Sequence, residues 1–435
     1  MPLGIIQVDG QHAPGTFLLI NQTAGDDLFQ TKHDTSKKAD VILVPQPSDS
    51  PNDPLNWPPW KKNLAYAVIF ANSIIYASIP APLIAPSTVL LSQSLGRSIK
   101  DVSMLTAYQL LVCACYGPIA SALAHKYGKR PQFIFGAVMG LVGTIVCCTT
   151  THSYSVLLAG RIIQGIGSSV FESLSMAVIG DLRTFSDTNL FKLVFAPFGV
   201  LLNPAVIWFT IVGSVCIALY VALSYILAQI WSPPPYNLNA RQNGTFYVGA
   251  LIGGLLSSTV SPWVGDIIAS KMTKWNKGVY EPEFRIPMII FATLFCGIGW
   301  FVFMWDLDNP TPHGYYLGAF CHGCLCAGTT IGMTVASLYA LSFLTLVGCD
   351  SDSCRESSTE IFVLAMASKN FLFYGFSEFI NDWTERNGPH EVLRTFGIVT
   401  MCIMATSLVL YIFGKVNRCF MHKVGLMNKL MGYQY

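Results

Sequence analysis

Beyond a polar stretch of about sixty residues, the chain runs as long apolar blocks separated by short polar breaks carrying Gly, Pro, Lys or Asp. A helix needs about 20 residues at 1.5 Å each to cross a hydrocarbon core, and the blocks are that long. Ten spans are predicted: Leu64 to Ile84, Ser103 to Ala124, Phe133 to Thr150, Ser155 to Ile179, Val206 to Ile230, Phe246 to Ile268, Ile286 to Met304, Tyr316 to Phe343, Ile361 to Ile380 and Val392 to Phe413. Lipid offers no partner to an unpaired backbone amide, so the spans are helices and the fold class is an all-α polytopic bundle. The block from Phe191 to Trp231 holds Pro197 and Pro204, so its first part reads as an interfacial lead-in, not as a further span. An even number of spans leaves both termini on one side.

Composition strengthens this reading. Hydrophobic residues make up 52% of the 435 positions and charged residues 11%, against roughly 25% charged in a soluble domain. The formal net charge of +2 gives no sign of nucleic-acid binding. The first sixty residues have no basic stretch followed by a short apolar one and a cleavage site, so no signal peptide is expected and the N-terminal tail, residues 1–62, is expected to be cytosolic. With that orientation sixteen Lys and Arg flank the spans on the cytosolic side and five on the outer side. The sequon at Asn243 then falls in an outer loop as a glycosylation candidate, while the one at Asn21 is cytosolic. Of the thirteen cysteines, most sit inside apolar blocks as small hydrophobes and not as a disulfide framework. Glycine pairs such as Gly136 with Gly140, Gly249 with Gly253, and Gly328 with Gly332 suit close helix packing.

Candidate chemistry concentrates in the fourth span, LLAGRIIQGIGSSVFESL. Arg161, Gly165, Ser168 and Glu172 share one helix face, with Gln164 beside them. Arg161 and Glu172 stand about 16 Å apart along the axis, too far to pair, so each needs a partner on another helix or water in a cavity. A charge facing lipid at mid-depth costs at least about 2.5 kcal/mol. The alternative role is an ion pair that only fixes helix packing. In the ninth span Lys369 and Glu378 lie on opposite faces, while Asn370, Tyr374 and Glu378 share one. Glu378 lies near the outer end, where water solvates it, and Lys369 lies deeper and is the better functional candidate. The cluster Cys321, His322, Cys324 and Cys326 points in different directions around a helix, so no metal is assigned to it. No catalytic constellation stands out, and no cofactor is expected.

These residues resemble the major facilitator superfamily, and within it the fungal drug:proton-antiporter type. The resemblance lies in VILVPQPSDSPNDPLNWPPWKK before the first span, in YGKRP at Tyr127 to Pro131, in the stripe with Arg161, Gln164, Gly165 and Gly167, and in EPEFRI at Glu281 to Ile286. It implies two helical bundles rocking about a central site, Arg161 in proton coupling, and Gly128, Lys129 and Arg130 in a gating loop. Two departures stand out. His125 occupies the position three before the glycine, where the family carries an acid, and the chain passes from Gly180, Asp181 and Leu182 to the lead-in of the family's seventh helix, so helices 5 and 6 are missing.

The expected organisation is therefore a first bundle of four helices over residues 63–182, a linker over 183–205, a second bundle of six over 206–414 and a cytosolic tail over 415–435. The expected function is proton-coupled export of a small organic compound, not catalysis. Arg161, Gln164, Gly165, Gly167, Ser168, Glu172, Lys369 and Asn370 are expected at the cavity. The rival reading is a transport-inactive or sensor-like paralogue, or a shortened gene model. Partners are the solute, protons and membrane lipid, the chain is expected to be a monomer, and the plasma membrane is the default location, with the vacuolar membrane as the alternative. A shortened first bundle would leave the cavity open to lipid beside Glu172.

Overall fold

The computed structural model describes residues 2–6, 16–18, 33–34, 41–42, 57–149, 153–180, 203–234, 236–311, 313–346 and 351–424, with 194, 198 and 201 between them. Helices α1 (Trp60–Ser78) and α2 (Pro82–Leu95) form a pair bent by 46°, with Pro80 and Pro82 at the break, where a helix loses backbone donors. Then come α3 (Ile99–Tyr127), α4 (Lys129–Thr149) and α5 (Tyr154–Gly180). The second part holds α6 (Pro204–Trp231), α7 (Ala240–Trp275), α8 (Pro282–Asp308), α9 (Gly314–Leu346) and α10 (Ser351–Val424).

Local signals place the helix ends. At the start of α3, Ser98 accepts from the Asp101 amide and Asp101 accepts from the Ser98 amide, a reciprocal cap that α7 repeats with Asn239 and Gln242. The long α10 breaks at Gly388, whose φ of +80° precedes Pro389, so it comprises two helical arms. The predicted spans lie along these helices, except that the first, Leu64 to Ile84, crosses the break between α1 and α2, and Thr150, the end of the third, lies outside the described residues. By length and apolarity, seven helices among the described residues qualify to cross a membrane, or eight with the bent pair. The number is below ten because α10 is counted once although Gly388 divides it into two arms, and because α5, with its polar stripe, is not among the qualifying helices.

Packing follows the small residues. A Cβ on Gly167 of α5 would lie 2.6 Å from the amide nitrogen of Gly140 on α4 and 2.7 Å from the carbonyl oxygen of Gly136. Without side chains there, α4 and α5 lie backbone to backbone. Gly249 and Gly253 of α7 meet the carbonyls of Ala319 and Gly323 on α9 in the same way. The largest buried cluster belongs to the second part, where Trp231, Trp300, Phe303 and Tyr339 are at most 1% exposed. Large apolar residues such as Ile134, Leu141 and Ile145 on α4, and Leu251, Leu255 and Trp263 on α7, remain exposed, as a lipid-facing surface requires.

The N-terminal segment docks on this second part. Phe17–Leu18 pairs antiparallel with Val279–Tyr280, the Ile6 amide donates to the Ile412 carbonyl, and Ile5 is 1% exposed beside Ala269 and Phe284. Most of the linker expected over 183–205, and the sequon at Asn21, lie outside the described residues.

Candidate functional site

The polar stripe of α5 is shared between its neighbours. Gly165 faces α3, where a Cβ would run into the Gln109 carbonyl, and Gly160 and Gly167 face α4, so α5 fits between both. Gln164 points to α4 and donates to the Thr144 hydroxyl at 2.9 Å. Arg161 turns the other way. Its Nη1 donates to the Pro80 carbonyl at the bend of the α1–α2 pair and, at 2.9 Å, to Gln109 Oε1 on α3.

One helical turn beyond Ser168, Glu172 meets the second bundle. Lys369 of α10 donates to Glu172 Oε1, Asn370 donates to Oε2 at 3.1 Å, and the Cys113 thiol of α3 donates to Oε2 at 2.9 Å. Both carboxylate oxygens are thus engaged, and the Glu172 and Lys369 side chains are 15% and 18% exposed. Glu172 therefore faces the partner bundle. Glu172 is not turned to lipid, because α10 packs against α3 and α5 and brings the opposite charge to it.

Around this pair lies a cavity of about 530 Å³, a size suited to a small organic molecule. Gln109, Ser168, Glu172, Lys369 and Asn370 line one side, and Tyr220 and Ser224 of α6, Tyr247 of α7 and His322 of α9 the other. Six Phe and Tyr rings complete the apolar wall: Tyr66, Phe70, Phe171, Tyr220, Tyr247 and Phe373. Of the residues expected at the cavity, Ser168, Glu172, Lys369 and Asn370 are there, whereas Arg161, Gln164, Gly165 and Gly167 are not on its wall. Arg161 stands behind Gln109, and Gln164 and the glycines are used in helix contacts.

Gln109, Cys113 and His322 escaped the sequence reading as parts of this site. A lone amide in the apolar stretch of α3 was the one available signal. Further along, Lys100 of α3 donates to Asp382 of α10 at 3.2 Å, with Glu378 at 4.0 Å, and the Tyr108 and Tyr374 rings lie 5.7 Å apart. These contacts close one end between the two bundles.

The loop of Gly128, Lys129 and Arg130 is a tight corner: Gly128 takes φ +91° at the end of α3, and Lys129 already begins α4. The glycosylation candidate needs correction. Asn243 lies within the first turn of α7, not in a loop, is 4% exposed and donates to Ser232 at 3.0 Å. A glycan on that nitrogen has no room, because the capping box extends α7 back over the sequon.

At the other end of the second bundle stands a buried charge cluster. Arg418 donates to Glu281 Oε2 at 2.7 Å and to both oxygens of Glu283, Lys415 donates to Glu281 Oε1 at 2.7 Å, and Thr16 of the docked segment donates to Glu281 Oε2. This cluster anchors the EPEFRI turn to the end of α10.

Residues 64–187 match the family model of the Major Facilitator Superfamily. The fold aligns with the crystal structure of the human organic anion transporter MFSD10 (TETRAN) at a TM-score of 0.51 and 11% identity, covering 81% of this chain and 100% of that one. Over residues 64–187 the chain thus matches the major facilitator superfamily, and its fold is the all-α facilitator architecture of a multi-pass membrane protein. Among its relatives are an MFS-type transporter of Schizosaccharomyces pombe, 28% identical over 42% of this chain, and the MFS-type efflux pump MMF1 of Mycosarcoma maydis, 29% identical over 39%. The MFS-type transporter hepF of Aspergillus oryzae is 23% identical over 40% of this chain. The chain spans only 29%, 29% and 37% of the length of these three relatives.

Proposed function

We propose that this chain is a secondary transporter that exports a small organic compound in exchange for protons. The observation that carries the reading is the Glu172–Lys369 pair, which joins the two bundles on the wall of the cavity that both bundles form. A pair that holds the bundles in one arrangement is a bistable contact: rocking breaks it, and solute or proton biases the equilibrium through it. Arg161 acts at one remove by holding Gln109 in place against the α1–α2 bend. With the N-terminus cytosolic, the Lys100–Asp382 contact lies outside. The cavity then leans towards the cytosolic ends of α1, α5 and α10 through Tyr66, Ser175 and Met366. That is the state in which an exporter loads its solute. The efflux-pump relative agrees with this direction.

The inactive-paralogue reading rests on one observation. Only 23 residues, 181–203, separate Gly180 from Pro204, fewer than two crossings of about 20 residues each require. Proteoliposomes holding the purified chain separate the two readings. Under an imposed pH gradient a transporter accumulates at least one of a neutral, a cationic and an anionic fluorescent dye, and Arg161→Ala abolishes the accumulation. Absence of gradient-driven flux for all three dyes overturns the transporter reading.

A further inference from the structure

The cavity wall is uneven. On the side of α3, α5 and α10 it is packed protein, with Gln109, Phe171 and Phe373 at most 4% exposed. On the side of α1 it is a single helix without a buried residue from Trp60 to Ser78. Tyr66 and Phe70 of α1 line the cavity and are nevertheless 44% and 61% exposed, as open as Leu64 and Val68, which do not line it. α1 leans on α5 through the Ser73–Ser175 hydroxyl pair at 2.6 Å and the stacked Tyr76 and Phe171 rings at 4.6 Å. Past the bend, Pro82–Ser87 packs against α6 and α7 and covers the outer half of the wall. The cavity is therefore open beside Phe70, in the cytosolic half. Trp60, Lys61 and Lys62 mark the interfacial end of α1. Phe70 lies ten residues farther, about 15 Å of helix and half the thickness of the hydrocarbon core.

From this geometry we infer that the cavity takes a single-chain amphiphile of the bilayer, which enters sideways past Phe70 with its polar head towards the Glu172–Lys369 pair and its chain along α1. The inference rests on the reading of the cavity as a solute site. A long apolar chain that leaves the bilayer for water exposes its whole surface, so the lateral route is the one it favours. A water-soluble compound has no such reason to cross hydrocarbon. Tyr66, Ile69 and Phe70 give the chain an apolar and aromatic track. Glu172 and Lys369 line the same cavity and keep 15% and 18% of their side-chain surface exposed. An ammonium carries three hydrogens, so an oxygen of the head competes with Glu172 for Lys369 and biases the contact between the bundles. The far end of the chain stays in lipid, and the volume of about 530 Å³ limits the head and not the chain length.

Photocrosslinking of the full chain in lipid nanodiscs tests this, with p-benzoylphenylalanine in place of Tyr220 on the far wall of the cavity. The probes are alkyne-tagged octadecanoylglycerol, supplied in the bilayer, and alkyne-tagged butanoylglycerol, supplied in water. The octadecanoyl probe should be captured saturably, and excess untagged octadecanoylglycerol should suppress its capture. Phe70→Asp sets a charge in the opening and should lower that capture roughly tenfold or more. Val68→Asp sets the same charge on a part of α1 that does not line the cavity and should leave capture unchanged. Equal losses in the two variants overturn the lateral route. Capture of the butanoyl probe alone overturns the inference and leaves the transporter reading in place. Capture of neither probe by folded protein overturns it as well. Capture that depends on Phe70 without gradient-driven flux in proteoliposomes upholds it and fells the transporter reading.

Discussion

Lys369 and Glu172, 197 positions apart in the chain, meet on the wall of the central cavity and bridge α5 of the first bundle to α10 of the second. Removing one partner leaves an uncompensated buried charge, which costs about 3–5 kcal/mol, whereas removing both is close to neutral. Lys369→Met should therefore lower the melting temperature in detergent strongly. The double variant Lys369→Met with Glu172→Gln should recover most of the loss. Additive losses in the double variant would show that the two side chains do not act as a pair.

Arg161 holds Gln109 and the Pro80 carbonyl through a single guanidinium nitrogen. Arg161→Ala should abolish gradient-driven flux while the protein still inserts and elutes as a single species on gel filtration. Arg161→Lys should also fail substantially, because an ammonium does not reproduce the planar fork. Flux measured in proteoliposomes at wild-type level for either variant would contradict the role.

The α4–α5 contact leaves no room at Gly167, where a Cβ would lie 2.6 Å from backbone nitrogen. Gly167→Ala should separate the helices and destabilise the protein by about 1–3 kcal/mol. Gly265, which has nothing within 4 Å of its Cβ position, should tolerate the same change. Thermal melts of the two variants compare them directly.

Glu281 is buried, which pushes its carboxyl up, but hydrogen bonds from Lys415 and Arg418 outweigh burial and hold it below the ordinary value of 4.5. A depressed folded value means stability that is present above pH 4.5 and is lost as pH falls through the folded value. Glu281→Gln should flatten the acid limb of a stability-against-pH curve over that window. An unchanged acid limb would mean that Glu281 does not titrate with unfolding.

The N-terminal segment ties to the second bundle through Ile5, Ile6, Thr16 and the Phe17–Leu18 strand pair. Deleting residues 2–18 should raise hydrogen-exchange rates at Val279 and Tyr280 by roughly tenfold or more, since it strips their ladder partners. Ile5→Asp should act in the same direction by breaking the contact with Ala269 and Phe284. Unchanged exchange in both variants would show that the docking contributes nothing measurable.

The helices, their breaks and the charged stripe of α5 were legible in the sequence, because hydropathy, glycine and proline act within a single turn or span. The division of α10 between the ninth and tenth predicted spans and the glycines between α4 and α5 are cases of that locality. What the sequence could not supply was the choice of partner. Arg161 and Glu172 sit on one helical face, yet one reaches Gln109 and the other Lys369, because each charge is satisfied by whichever helix the packing brings opposite. Asn243 shows the same limit, since a sequon read as a loop became a buried turn of α7 once Ser232 and the capping box stood beside it. Burial and pairing depend on contacts between segments up to hundreds of residues apart, and only the tertiary structure decides those contacts.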